Sequence, residues 1–357
     1  MFSLLWKKKF LIVFLIALIA LLPQAAARPA QMLSKTLFTS IGIDKTDDEY
    51  EISGEMIVND FSKKGETKSE VISETGANIT EVMNKLSAAQ GREISLAHCT
   101  LMVVGAGLND ENLGELLTYF FHKTEVNNNC AIVYTQSPVK DLLTASEEGG
   151  DKRRGLLQQI LEFNQQNIIG KPTSLEKFFK DYMRTSKTGI LTTATLEGDK
   201  ISNEIQAAVF KNGKHVFTLD ETQTLALNFL NSKNTKMRTI QDDVTLHVLA
   251  KGAKIKVHME NGHPVVKINV KTTVRVEDIK GQIILNLDAE KQAQIKTALQ
   301  QKLKSDIENT LAQMKVQKTD FLHLYDKYYR KYRVTQTIED FLDTLEFQIK
   351  VDASVMT

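Results

Sequence analysis

Asn261-Gly262 stands between two long stretches in which apolar and polar residues alternate, "VTLHVLAKGAKIKVHM" before it and "HPVVKINVKTTVRV" after it. An Asn-Gly pair flanked by period-2 alternation is a strong hairpin signal, because both residues accept the positive φ of a tight turn. Region 244–278 therefore predicts alternating strands with one buried face, broken at Lys251-Gly252 and at the turn. The period then changes. From Asp288 to about Met314, Ile295, Leu299, Leu303, Ile307 and Leu311 fall four apart and form one apolar stripe on a long helix. Each element has one apolar side to bury, so the expected solution is the helix packed on the antiparallel sheet. "LEFQIKVDAS" (345–354) reads as a last strand returning to that sheet.

The earlier chain alternates strands and helices. "LFTSIGID" (37–44) and "EYEISGEMIV" (49–58) read as strands around a turn, and "NITEVMNKLSAAQG" (78–91) as a helix stopped by Gly91. "ISLAHCTLMVVG" (94–105) is apolar enough for one central strand, "NDENLGELLTYFFHK" (109–123) for a capped helix, and "CAIVYTQ" (130–136) for the next strand. From Ser137 to Ser186 the pattern is helical, with "GLLQQILEFNQQ" (155–166) and "TSLEKFFKDYM" (173–183), the latter opened by Thr173 with Glu176 as a capping box. "IQAAVFKNGKHVFTL" (205–219) reads as a hairpin around "KNG", followed by a short helix capped by Asp220. The expected class is α+β, in three modules of mixed sheets with flanking helices: an N-terminal α/β domain (28–136), a small middle α/β module (187–235) and a C-terminal α+β domain (240–357), with a helical connector (137–186) between the first two.

Residues 1–27 are expected to direct export. Lys7, Lys8 and Lys9 precede the apolar run Phe10–Leu22, and Ala25 and Ala27 supply an A-x-A cleavage pattern. The run is shorter than the roughly 20 residues of a spanning helix, yet an uncleaved N-terminal anchor stays open beside a cleaved signal peptide. Beyond it the chain has 42 basic and 44 acidic residues, which gives no electrostatic footprint for nucleic acid. Only Cys99 and Cys130 are present, both in apolar runs, so buried thiols are expected and a single bridge stays open.

No stretch carries recognisable chemistry. Ser174-Leu-Glu-Lys177 and Lys187-Thr-Gly189 spell two serine acyl-transferase motifs but lie too close together, and Ser174 is better explained as a helix cap. His247, His258 and His263 lie in the late strands without helical metal-ligand spacing. Gly105-Ala-Gly107 lacks the third glycine of a dinucleotide loop. "DKYYRKYRV" (326–334) mixes aromatics with basic residues and reads as a solvated helix end, or as a contact for a partner or lipid headgroup. No catalytic, metal-ligating or cofactor-binding residue is assigned.

Several stretches together resemble the Ger(x)C family, the C subunit of nutrient germinant receptors in spore-forming bacteria. "SIGIDKTDDEYEISGEMI" (40–57) resembles its opening strand, turn and strand, and "LAHCTLMVVGAGLNDENLGELLTYFF" (96–121) its His-containing strand and helix. "AAVFKNGKHVFTLDETQTLALNFL" (207–230) resembles the middle A-V-F-K hairpin and helix, and "QKTDFLHLYDKYYRKY" (317–332) the segment where Gln and Asp precede a Tyr-Arg-Lys run. The resemblance implies a non-enzymatic, three-domain protein on the outer face of the spore inner membrane, acting with two integral-membrane partners, the A and B subunits. Two features depart from that pattern. "PQAAARPAQ" holds no lipobox cysteine, so this chain is expected not to be lipidated there, and "YRKYRVTQ" lacks the family's following tryptophan. The competing expectation is a freely secreted or wall-associated binding protein.

Overall fold

A computed structural model describes residues 35–60, 66–122, 126–149, 155–166, 173–202, 206–231, 236–241, 244–279 and 288–356. The export segment and its cleavage pattern lie outside the described residues.

The first part of the chain forms β1 (Lys35–Thr46), β2 (Glu49–Asp60), β3 (Glu66–Gly76), α1 (Ile79–Gln90), β4 (Glu93–Ser95), β5 (Leu101–Gly105), α2 (Leu113–His122) and β6 (Ala131–Thr135). Next come α3 (Val139–Gly149), α4 (Leu156–Gln166), β7 (Thr173–Ser174), α5 (Leu175–Tyr182), β8 (Thr188–Thr193), the short pair β9 (Leu196–Glu197) and β10 (Lys200–Ile201), β11 (Ala207–Lys211), β12 (Lys214–Leu219) and α6 (Glu221–Asn231). The main sheet has the order β12-β11-β8-β6-β5-β1-β2-β3, with β4 beside β1 and β7 beside β6. Its centre, β8-β6-β5-β1, is parallel, and each side ends in antiparallel strands. All five residues of β5 are buried, as a central parallel strand covered on both faces requires. Segment 187–235, expected as a module of its own, contributes β8, β11 and β12 to this same sheet.

Alternation along the strands divides the interior. Met102, Val104, Ile132, Tyr134, Ala208 and Phe210 face a core closed by α1, α2 and α5. Leu101, Val103 and Val133 face the other way, beneath α3 and α4. On β11 the opposite positions, Ala207 and Val209, belong to a third core, that of the C-terminal part. One short strand thus has a foot in two cores.

The C-terminal part contains β13 (Lys236–Gln241), β14 (Val244–Glu260), β15 (His263–Ile279), α7 (Ala289–Val316), α8 (Leu324–Tyr332), α9 (Ile338–Thr344) and β16 (Glu346–Met356). Asn261 and Gly262 have φ of 50° and 83°, the conformation their turn needs. Lys251-Gly252 is no break. Gly252, at φ 113°, lets β14 run on through a bulge between Ala250 and Gly252. Asp288 caps α7 through the Lys291 N–H, and the whole predicted stripe from Ile295 to Leu311 is buried. The chain then crosses back through α8 and α9, so β16 joins β15 in parallel and the sheet is mixed.

Two expected boundaries differ. The apolar stretch 94–105 is split by a turn in which the Cys99 N–H bonds Leu96 O, separating β4 from β5. Helix α5 is capped by Ser174 rather than Thr173: its Oγ accepts from the Lys177 N–H at 3.2 Å, while Thr173 pairs with β6.

Candidate functional site: the junction of the two regions

The polar contacts that join the two regions gather around the turn between α7 and α8. Asp320 opens α8: its carboxylate accepts from the backbone N–H groups of Leu324 (2.8 Å) and Tyr325 (2.7 Å), satisfying two donors of the first turn. Burial pushes the Asp320 carboxyl above its usual range, against the pull of those two N–H groups. Three residues later His323 adopts φ 52°, and Lys318 and Lys187 nearby have φ 49° and 44°. Left-handed non-glycine residues cost about 1 kcal/mol or more each, so their clustering marks a place where geometry is imposed by its surroundings.

That backbone carries the His323 ring to the first region. Its Nε2 lies 3.1 Å from Asp181 Oδ1 at the end of α5, and its Nδ1 lies 3.0 Å from Ser186 Oγ. Asp181 also accepts from Arg184 Nε at 3.2 Å and pairs with Lys177. Burial alone would raise Asp181, but hydrogen bonds from His323 and Lys177 outweigh it and hold the carboxyl below its usual range. Arg184 reaches on to Asp326 in α8 at 3.6 Å. On the neighbouring strand, Lys211 donates to Lys318 O at 2.8 Å and pairs with Glu339 at 3.0 Å. The rings of Tyr325 and Tyr328 pack on Phe341 with centroids 5.5 and 5.2 Å apart.

Ser186, His323 and Asp181 have the residue types of a nucleophilic triad, but not its accessibility. Ser186 is 3% exposed and Asp181 5%, and Lys177 and Arg184 already neutralise the carboxylate. A nucleophile must face its substrate, so the arrangement fits a clasp better than an acyl-transfer centre. Sequence reasoning missed this set because 137 residues separate Ser186 from His323. The capping signal gave no help either, because the N-cap of α8 is His323 and Asp320 reaches the first-turn N–H groups from three residues further back.

The other singled-out residues have structural duties or lie at the surface. Ser174 caps α5. Gly107 donates to Asp44 Oδ1 at 3.0 Å, and a Cβ there would come within 1.9 Å of Lys45 O, so close backbone approach explains the glycine. His247 and His258 face outward on β14, opposite Arg275 and Val265, and His263 follows the hairpin turn. Among the described residues no group of three or more His, Cys, Asp or Glu side chains could hold a metal ion. Cys99 and Cys130 are free and buried, with their sulfurs 3.9 Å apart. A separate open cleft of about 350 Å³ is lined by Tyr50, Asn78, Glu111, Glu115 and Tyr119, among others.

Residues 34–196 match the family described as the spore germination protein N-terminal domain, and residues 205–357 match the family described as spore germination B3/GerAC like, C-terminal. The chain belongs to the GerAC-like spore germination proteins. A similar relative is the spore germination protein KC of Bacillus subtilis (strain 168), 24% identical over 337 residues, covering 85% of this chain and 83% of that protein. The crystal structure of the GerBC protein aligns with a TM-score of 0.59 at 17% identity, over 89% of this chain and 97% of that one. The likeness to GerBC confirms the α+β fold. The interval 197–204 between the two family matches falls on β9, β10 and the approach to β11. In this GerAC-like chain the boundary therefore precedes the strand that serves two cores.

Proposed function

We propose that this chain serves spore germination as a non-catalytic, exported subunit of a germinant-receptor-like complex, held at the outer membrane face by two integral-membrane partners equivalent to A and B subunits. One observation carries the reading: the family-like stretches are spent on holding the protein together. Asp320, His323 and Tyr325 of "QKTDFLHLYDKYYRKY" and Lys211 of the A-V-F-K hairpin build the junction. Family membership gives no enzymatic precedent, and the Ser186–His323–Asp181 set is enclosed. We further propose cleavage after Ala27, with membrane association through the partners. Among the described residues no helix is long and apolar enough to cross a membrane.

Affinity recovery of a C-terminally tagged chain from native spore membranes tests the complex. Two multi-span proteins are expected with it, and recovery without membrane partners contradicts the proposal. The same material tests cleavage, because Trp6 is the only tryptophan. Cleaved protein begins at Arg28 and shows tyrosine emission alone. A tryptophan signal that follows the protein into detergent establishes a retained anchor instead.

A further inference from the structure

The C-terminal sheet has one face on its core and one away from it. On β14, β15 and β16 the inward positions are apolar: Ile255, Ile268 and Ile349 lie side by side in register, as do Val257, Val266 and Phe347. The outward positions form a second lattice of different chemistry. It carries Lys254, Lys256, Lys267, Lys271, Arg275 and Lys350, of which all but the half-buried Lys267 are exposed. Lys267 pairs with Glu260 at 2.7 Å and Lys350 with Asp352 at 3.4 Å. Among the described residues Lys254, Lys256, Lys271 and Arg275 make no ion pair. Lys256 lies directly across from Lys267, a like-charge placement that costs stability in the free protein. Glu260, Glu346 and Asp352 lie at outward positions of the same face, so its basic excess rests on Lys254, Lys256, Lys271 and Arg275, while the whole chain carries a formal charge of only +1.

The chemistry of the face selects its partner. Protein interface cores are enriched in aromatic residues and arginine and depleted of lysine. Here five of the six cations are lysine, and among the described residues the outward positions of these three strands hold no Phe, Tyr or Trp, only the imidazoles of His247 and His258 on β14. A lysine ammonium is a point charge on a flexible stem, without the planar fork that fixes one geometry. Strands about 4.8 Å apart with outward residues about 6.7 Å apart along each strand spread those charges over a flat area. We propose that this face docks on a bilayer of anionic phospholipid and sets the orientation of the protein on the membrane. The inference does not depend on the receptor-complex reading, since lipid alone suffices to test it.

The test is co-sedimentation of the full chain with vesicles of mixed phosphatidylglycerol and phosphatidylcholine, and with pure phosphatidylcholine. Two variants carry the same charge change: Lys254→Glu with Lys271→Glu on the face, and Lys296→Glu with Lys304→Glu on the exposed side of α7. The apolar N-terminal segment is common to all, so its contribution cancels. At about 1 kcal/mol per basic residue near an anionic surface, the face variant loses at least tenfold in partitioning to the anionic vesicles, and the α7 variant less than about twofold. Added salt weakens binding of the parent protein. An equal loss in both variants overturns the proposal, as does parent binding that is indifferent to anionic lipid. Unchanged binding of the face variant likewise overturns it and leaves the face to an acidic protein partner.

Discussion

The central sheet and the C-terminal sheet solve the same burial problem to different degrees. The first is covered on both faces, so that Met102 and Val103, successive residues of β5, enter different cores. The second is covered on one face only, and its other face carries lysines and Arg275 among acidic and neutral polar residues. A strand sealed on both sides can serve little beyond stability. A strand with one wet face can be tuned for a partner at small cost to the fold. The difference leaves the outer face of the C-terminal sheet open to the proposed bilayer contact, while structural constraint is concentrated in the parallel centre.

The sharpest way to break this contrast is to introduce the same charge on both sheets. Val103→Lys forces an unpaired ammonium into a fully buried site, a penalty of several kcal/mol that should prevent folding. Asn269→Lys, on the outward lattice, faces Lys254 and Lys350 in register and should cost only about 0.2–1 kcal/mol for each like-charge pair. Thermal unfolding of the two variants decides it, and comparable damage from both would void the contrast. Next in size is the seam under α7. Leu303→Ala should cost about 2–5 kcal/mol, as for other buried leucines, read as a lower denaturation midpoint in urea at unchanged slope.

The junction should respond less. Asp320→Ala leaves two first-turn N–H groups without their acceptor and should cost about 1–3 kcal/mol. The clasp is also sensitive to acid, with a definite sign. The Asp181 carboxyl is depressed below its ordinary 3.8, so its contribution is present above that pH and is lost as pH falls through the lower folded value. His323→Ala removes one of the bonds responsible for the depression. The parent-minus-variant stability difference should therefore shrink below about pH 4, measured by unfolding at pH 7 and pH 3. A gap that widens on acidification would contradict the clasp. Smallest of all, Lys256→Glu turns a like-charge pair with Lys267 into an opposite-charge pair and should stabilise the protein by about 0.2–1 kcal/mol.

The legible parts of the fold were those with a strong local period. The Asn261-Gly262 hairpin and the α7 stripe lie where the residues placed them, because each element's apolar face is written at its own spacing. Strand β3, "ETKSEVISETG", escaped notice because it is a polar edge with little apolar alternation. Helix α9 has only seven residues, and its capping box pairs Thr337 with Asp340 in place of the usual Glu or Gln, a weak signal in sequence. Lys251-Gly252 looked like a stop because glycine marks turns and bulges alike, and only the partner strand distinguishes them. The junction was illegible for another reason: His323, Asp181 and Ser186 meet through tertiary packing that no local pattern encodes. The cationic face was present in the sequence as Lys254 and Lys256 two apart on β14 and as Lys267, Lys271 and Arg275 four apart on β15. Its significance emerged only when register aligned Lys256 with Lys267 and brought Lys350 alongside Asn269.

Amine-reactivity mapping of the protein in its native membrane tests the difference between the two sheets most directly. A water-soluble acylating reagent is applied to intact membranes and to detergent-released protein, and modified lysines are located by mass spectrometry. Lys254, Lys256 and Lys271 should be protected in the membrane and become reactive on release, while Lys296 and Lys304 react in both states. Equal reactivity of the two sets before and after release would contradict the assignment of the C-terminal outer face as the covered, functional surface.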